Sequence, residues 1–160
     1  MKNKIHQNQK GFTLIEILVV IGIIGILATV VLVAVNPGRQ FKQARDSQRV
    51  ANVNTILNAL GQNIADHEGN LFCDGQSVVL PKNSVYLMDS NLPIDGTINI
   101  ADCLIPDYLP KLPYDPSAGS NYYYDDEDNY RTGYMISVDD GGRITISASG
   151  DIQPIISVTR

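Results

Sequence analysis

Tryptophan is absent from the 160 residues, and histidine and cysteine occur twice each. With only His6 and His67, histidine-based catalysis or a multi-histidine metal site has almost nothing to work with, so the chain reads as a non-enzyme with no resident cofactor. Cys73 and Cys103 lie outside the C-x-x-C spacing, so neither a zinc ribbon nor a thioredoxin-like redox motif is written. Acidic residues are scarce at first: Met1 to Asn63 carries seven basic and two acidic residues, whereas Ile64 to Arg160 carries five basic and fifteen acidic. That acidic part argues against broad nucleic-acid binding, which rests on Lys and Arg neutralising phosphates. The length suits one domain of ordinary size with a single core.

What the chain has in abundance is apolar sequence near its start. Residues 12–35 are 24 residues interrupted only by Thr13, Glu16, Gly22, Gly25 and Thr29. At ~1.5 Å per residue such a run covers a bilayer core as a helix. Residues 1–11 precede it as a polar leader with Lys2, Lys4 and Lys10 and no acid. No small-x-small cleavage site precedes Asn36 or Pro37, which argues against removal of the run. Lysines before it and Arg39, Lys42, Arg45 and Arg49 after it leave the charge bias indecisive for orientation. Glu16 stands out, because a carboxylate inside an apolar helix costs about 2.5–3.5 kcal/mol at mid-bilayer. No Lys, Arg or His lies within 12–35, so Glu16 is neutral, snorkels, or takes its counter-charge from another chain.

Lys10-Gly11-Phe12-Thr13-Leu14-Ile15-Glu16 and the apolar residues that follow closely resemble the prepilin leader and N-terminal helix of type IV pilins and of type II secretion pseudopilins. The resemblance implies a peptidase cut between Gly11 and Phe12 and N-methylation of Phe12. The mature chain would then have 149 residues, and loss of three lysines would take the formal charge from -5 to -8. It implies a single-pass subunit of the cytoplasmic membrane, N-terminus in, that leaves lipid to join a helical homopolymer outside the cytoplasm. Its partners would be prepilin peptidase, an inner-membrane assembly platform and other pilins. It also implies that Glu16 meets the N-terminal amine of a neighbouring subunit. Gly22 and Gly25 allow close helix approach, although their spacing is not G-x-x-x-G.

Asn36-Pro37-Gly38 predicts a kink or short unwound stretch, after which residues 36–67 read as an amphipathic helix. Val50, Val53, Leu57, Leu60 and Ile64 form its apolar stripe, with Arg45, Arg49, Asn52, Asn54 and Asn58 off that stripe. Lys42, Arg45 and Arg49 read as a solvated face or as a surface opposing the acidic head of a neighbour. His67-Glu68-Gly69-Asn70 supplies stop signals. Residues 68–160 read as an extracytoplasmic head. Within it, residues 77–80 and 85–88 are short strands and 105–109 a helical turn. Cys73 and Cys103 either close this connection as a disulfide, on the order of 3.5 kcal/mol in the entropic account, or remain two separate buried thiols.

Beyond Lys111 the tyrosines 122–124, residues 134–138, the turn 139–142 and residues 143–148 read as an antiparallel β-meander, with 152–158 as an edge strand. The Leu112-Pro113-Tyr114-Asp115-Pro116 segment with Tyr-rich strands resembles the C-terminal part of major pseudopilins, departing from it where Ser117-Ala118-Gly119 replace the usual Trp-Gly. The implied fold is α+β and pilin-like, without the C-terminal disulfide staple of many pilins. Asp115, Asp125, Asp128, Asp139 and Asp140 are calcium candidates by that resemblance, yet the EF-hand spacing fails at Tyr130 and Ile136, and a solvated acidic loop is preferred. Competing readings are a DNA- or surface-binding filament, a membrane-anchored ectodomain that keeps its leader, and a zinc protein using His67, Cys73 and Cys103.

Overall fold

The computed structural model describes residues 11–89, 96–117, 119 and 121–160; the leader, except for Gly11, therefore lies outside the described residues. The chain divides into two compact units, the first ending at Gln40 and the second running from Phe41 to Arg160. In the first, α1 (Leu14–Val35) is a helix of 22 residues. Its stretch Leu14–Ala34 is long and apolar enough to cross a membrane, and none of it is buried. The helix stops at Asn36, which adopts the left-handed conformation (φ 43°, ψ 77°) that Asn tolerates better than most residues. Pro37 opens α2 (Pro37–Asp66) at the position where a missing N–H costs nothing. The Asn36 side chain caps that start by accepting the Arg39 N–H at 3.3 Å.

From Phe41 onward α2 belongs to the second unit, and its inward stripe repeats every three or four residues. Asp46, Arg49, Val53, Ile56, Leu60 and Asn63 are all buried, so the stripe is apolar in the middle and polar at both ends. Val53, Leu57 and Leu60 of the stripe expected from sequence are buried and Ile64 packs against the core, whereas Val50 is 42% exposed and Arg49, assigned there to a solvated face, is 2% exposed. The apolar pattern set the phase in the middle of the helix but could not show that polar residues at both ends face inward with the core. At the C-terminus Glu68 and Gly69 take positive φ, and the Gly69 N–H bonds back to the Ile64 carbonyl at 2.9 Å, closing the helix.

The head contains a two-stranded hairpin, β1 (Leu71–Cys73) with β2 (Gln76–Val78), turned by Asp74 and Gly75, both at positive φ. The main sheet comprises β3 (Val85–Met88), β4 (Thr97–Ile98), β5 (Tyr123–Asp126), β6 (Asn129–Val138), β7 (Ile144–Ser149) and β8 (Ile155–Thr159). Its order is β4-β3-β6-β7-β8, with β5 pairing the start of β6. All pairs are antiparallel except β3 with β4, which makes the sheet mixed and departs from the purely antiparallel expectation. A short helix, α3 (Ala101–Leu104), precedes the turn expected at 105–109.

Strand alternation positions the core. Tyr130, Thr132, Tyr134 and Ile136 of β6, Ile144, Ile146 and Ala148 of β7 and Ile156 of β8 are buried, their neighbours less so. Val53, Ile56, Leu57 and Leu60 of α2 meet this inner face in one cluster with Leu87, Ile100, Leu104 and Leu112. Each such side chain contributes about 1.5–3 kcal/mol by leaving water.

Candidate functional site

At the start of α1 the carboxylate of Glu16 turns back over the helix end. Its Oε2 accepts the Thr13 N–H at 2.7 Å and the Thr13 hydroxyl at 2.8 Å, while the Glu16 N–H bonds to Thr13 Oγ1 at 3.3 Å. This is a reciprocal capping box, which satisfies two orphan donors of the helix start. Among the described residues no counter-charge meets Glu16, in keeping with the absence of Lys, Arg and His from 12–35, but two hydrogen-bond donors of Thr13 do. The signal, a Thr three residues before a Glu at the head of an apolar run, was in the sequence. Phe12 is 85% exposed, and a Cβ placed on Gly11 would meet no described residue within 4 Å.

Sequence reasoning missed a second constellation, in the head. Arg49 donates from Nε to Asp115 at 2.7 Å, from Nη1 to Asp46 at 2.6 Å and Asp151 at 2.7 Å, and from Nη2 to Ser117 Oγ at 2.7 Å. Arg45 adds a fork onto Asp151 at 2.8 and 3.0 Å. Neither arginine is the free solvated charge that the helix pattern implied, and Arg49 is buried away from any neighbour. Asp46 also accepts the backbone N–H groups of Asp151, Ile152 and Gln153 at 2.7, 2.9 and 3.3 Å, so one carboxylate holds the whole turn between β7 and β8. Gly150 makes that turn possible, because a Cβ there would collide with the Gln153 carbonyl and come within 3.2 Å of Asp46 Oδ1.

Burial pushes the Asp46 and Asp115 carboxyls up, yet the donors around them outweigh it. Asp46 is held below the ordinary carboxylate value by the N–H groups of 151–153 and by Arg49, and Asp115 by Arg49 and Ser117. Asp151 is lowered by Arg45 and Arg49, and Arg49 is raised first by Asp115 and then by Asp151 and Asp46, against the effect of burial.

The structure does not gather the calcium candidates. Asp115 is buried on Arg49, Asp139 accepts the Gly141 and Arg143 N–H groups and the Arg143 guanidinium, and Asp140 pairs with Lys82 at 2.6 Å. Asp125 accepts from Asn129 Nδ2 at 3.2 Å, and the Asp128 N–H bonds to Asp126. Among the described residues no group of three or more His, Cys, Asp or Glu side chains is placed to hold a metal. Cys73 and Cys103 form a disulfide, which consumes the two thiols of the zinc reading, and His67 stacks on Phe72 at 4.6 Å.

The family described as the prokaryotic N-terminal methylation motif matches residues 6–32, the stretch that contains Gly11, Phe12, Thr13 and Glu16. No curated protein and no solved structure matches the chain. An apolar N-terminal helix, a second helix and a C-terminal sheet are the pilin-like α+β layout. With that layout behind the matched motif, the chain carries the signature of the type IV pilin and pseudopilin family.

Proposed function

We propose that the chain is a prepilin, cut between Gly11 and Phe12 by prepilin peptidase and N-methylated at Phe12. Held in the cytoplasmic membrane by α1 with its N-terminus in, it polymerises into a type IV pilus or a related filament. The observation that carries this reading is the placement of one carboxylate. Glu16 stands at the head of an apolar helix inside the methylation motif, Thr13 occupies its Oε2, and Oε1 takes no hydrogen bond from any described residue. An N-terminal amine from a neighbouring subunit finds there an acceptor already oriented. At ~4 Å and an effective dielectric of ~20 the attraction is about 4 kcal/mol before desolvation, comparable with the cost of the carboxylate in lipid.

A secretion pseudopilus would use the same processing and the same helix, and differ in its partners. A DNA-capturing filament is disfavoured by the acidic balance of the head. The experiment is expression of Glu16→Ala as the sole copy. The variant is expected to insert in the membrane and be cut after Gly11, but to yield few or no filaments. Wild-type filament yield would refute the role of Glu16, and mature Phe12 termini from Gly11→Val would refute the processing.

A further inference from the structure

The disulfide closes beside a side chain that touches both of its halves. Asn63, on the inner face of α2 and 1% exposed, donates from Nδ2 to the Phe72 carbonyl at 2.8 Å and to the Cys103 carbonyl at 2.7 Å. Its Oδ1 accepts the Phe72 N–H at 2.8 Å, so both amide hydrogens and one acceptor are in use. One partner is the residue immediately before Cys73 and the other is Cys103 itself. All three bonds go to backbone, and none requires the sulfur–sulfur bond. Leu71 and Leu104, beside the same two segments, are buried in the main core.

We infer that Asn63 is the positioning residue for oxidation of this pair: it sets the two thiols together in a reduced head that is already packed. Cys103 is 4% exposed and Cys73 only partly buried, so Cys73 meets the oxidant and Cys103 resolves. With glutathione disulfide, the Cys73 thiolate attacks one sulfur and releases one glutathione thiolate. The Cys103 thiolate then attacks the Cys73 sulfur of the mixed disulfide and releases the second. Two protein thiols lose two protons and two electrons, and one glutathione disulfide becomes two glutathiones. The bridge is then a product of packing and not its cause.

The test measures the effective concentration of the pair against glutathione, on the full chain in detergent, with and without urea. The wild-type value in native buffer is expected to exceed the urea value by about tenfold or more. Asn63→Asp keeps the acceptor for Phe72 but turns an oxygen on both carbonyls, and should lose most of that gain. Cys103→Ser should take up glutathione at Cys73 faster than Cys73→Ser does at Cys103. Should Asn63→Asp fail to fold, the double variant Cys73→Ser, Cys103→Ser decides with Asn63 intact: its Phe72 amide should remain protected from hydrogen exchange. Equal effective concentrations with and without urea, free exchange at Phe72 in the double variant, or faster uptake at Cys103 would each overturn the inference.

Discussion

Arg49 sits where a helix pattern predicts leucine, 2% exposed among three carboxylates. Breaking a buried pair by removing one partner leaves charge without compensation, so Arg49→Met is expected to cost about 3–5 kcal/mol of head stability in urea unfolding. The acid response follows from the same group. Asp46, Asp115 and Asp151 have folded values depressed below the ordinary 3.8, so their contribution is full above that value and disappears as pH falls through the folded values. The melting temperature should be level from about pH 7 to about 5 and drop below about 4, and the gap between wild type and Arg49→Met should narrow in that window. A constant gap down to pH 2 would show that the network is not what titrates. None of this was legible in the chain, because Asp115 and Asp151 lie 66 and 102 residues from Arg49 and one sequence carries no sign of that pairing.

At the scale of elements, periodicity and turn residues were readable wherever the interactions are local. The apolar run became α1, Asn36 and Pro37 divided it from α2, and the Gly-rich turn after Val138 joined β6 to β7. The capping box of Thr13 and Glu16 and the Asp74-Gly75 hairpin are also short local motifs, and the strand expected at 77–80 lies one to two residues beyond β2. The parallel pairing of β4 was not written at all: two residues, Thr97 and Ile98, hold no periodicity. The β7–β8 turn yields a sharper test. Gly150→Ala places a methyl against the Gln153 carbonyl, and the turn can accept it only by pulling N–H groups off Asp46. The variant should lose about 1–3 kcal/mol, and amide exchange at Asp151 and Ile152 should rise ahead of the sheet. Unchanged exchange there would mean that the turn has slack that the geometry denies.

For the whole molecule, the division after Gln40 separates two kinds of stability. The first unit exposes its apolar side chains along its described length, whereas the second holds every residue of the buried apolar cluster. Residues 41–160 made alone should therefore be soluble and melt cooperatively, near the temperature of the same unit in the intact chain. A molten or aggregated product would show that the head depends on what precedes it. The motif in the first unit was readable because its 27 matched residues are contiguous in sequence. The head was readable only in class, since its specificity rests on contacts between distant residues.

The turn held by Asp46 also has a mechanical meaning. Tension entering the head along α2 at Phe41 meets Arg45, Asp46 and Arg49 within its first two turns, and these are tied directly to Asp151–Gln153 and to Asp115. One helical turn further on, Asn52 grips the Tyr114 carbonyl, and near the far end of the sheet Arg160 reaches Asn54 and Asn58. The load thus passes from helix to C-terminal strands through side chains, in parallel with the covalent path, and the long connection between residues 67 and 113 is shunted. That segment supplies Leu87, Ile100, Leu104 and Leu112 to the core, yet a pull on the head need not travel along its backbone.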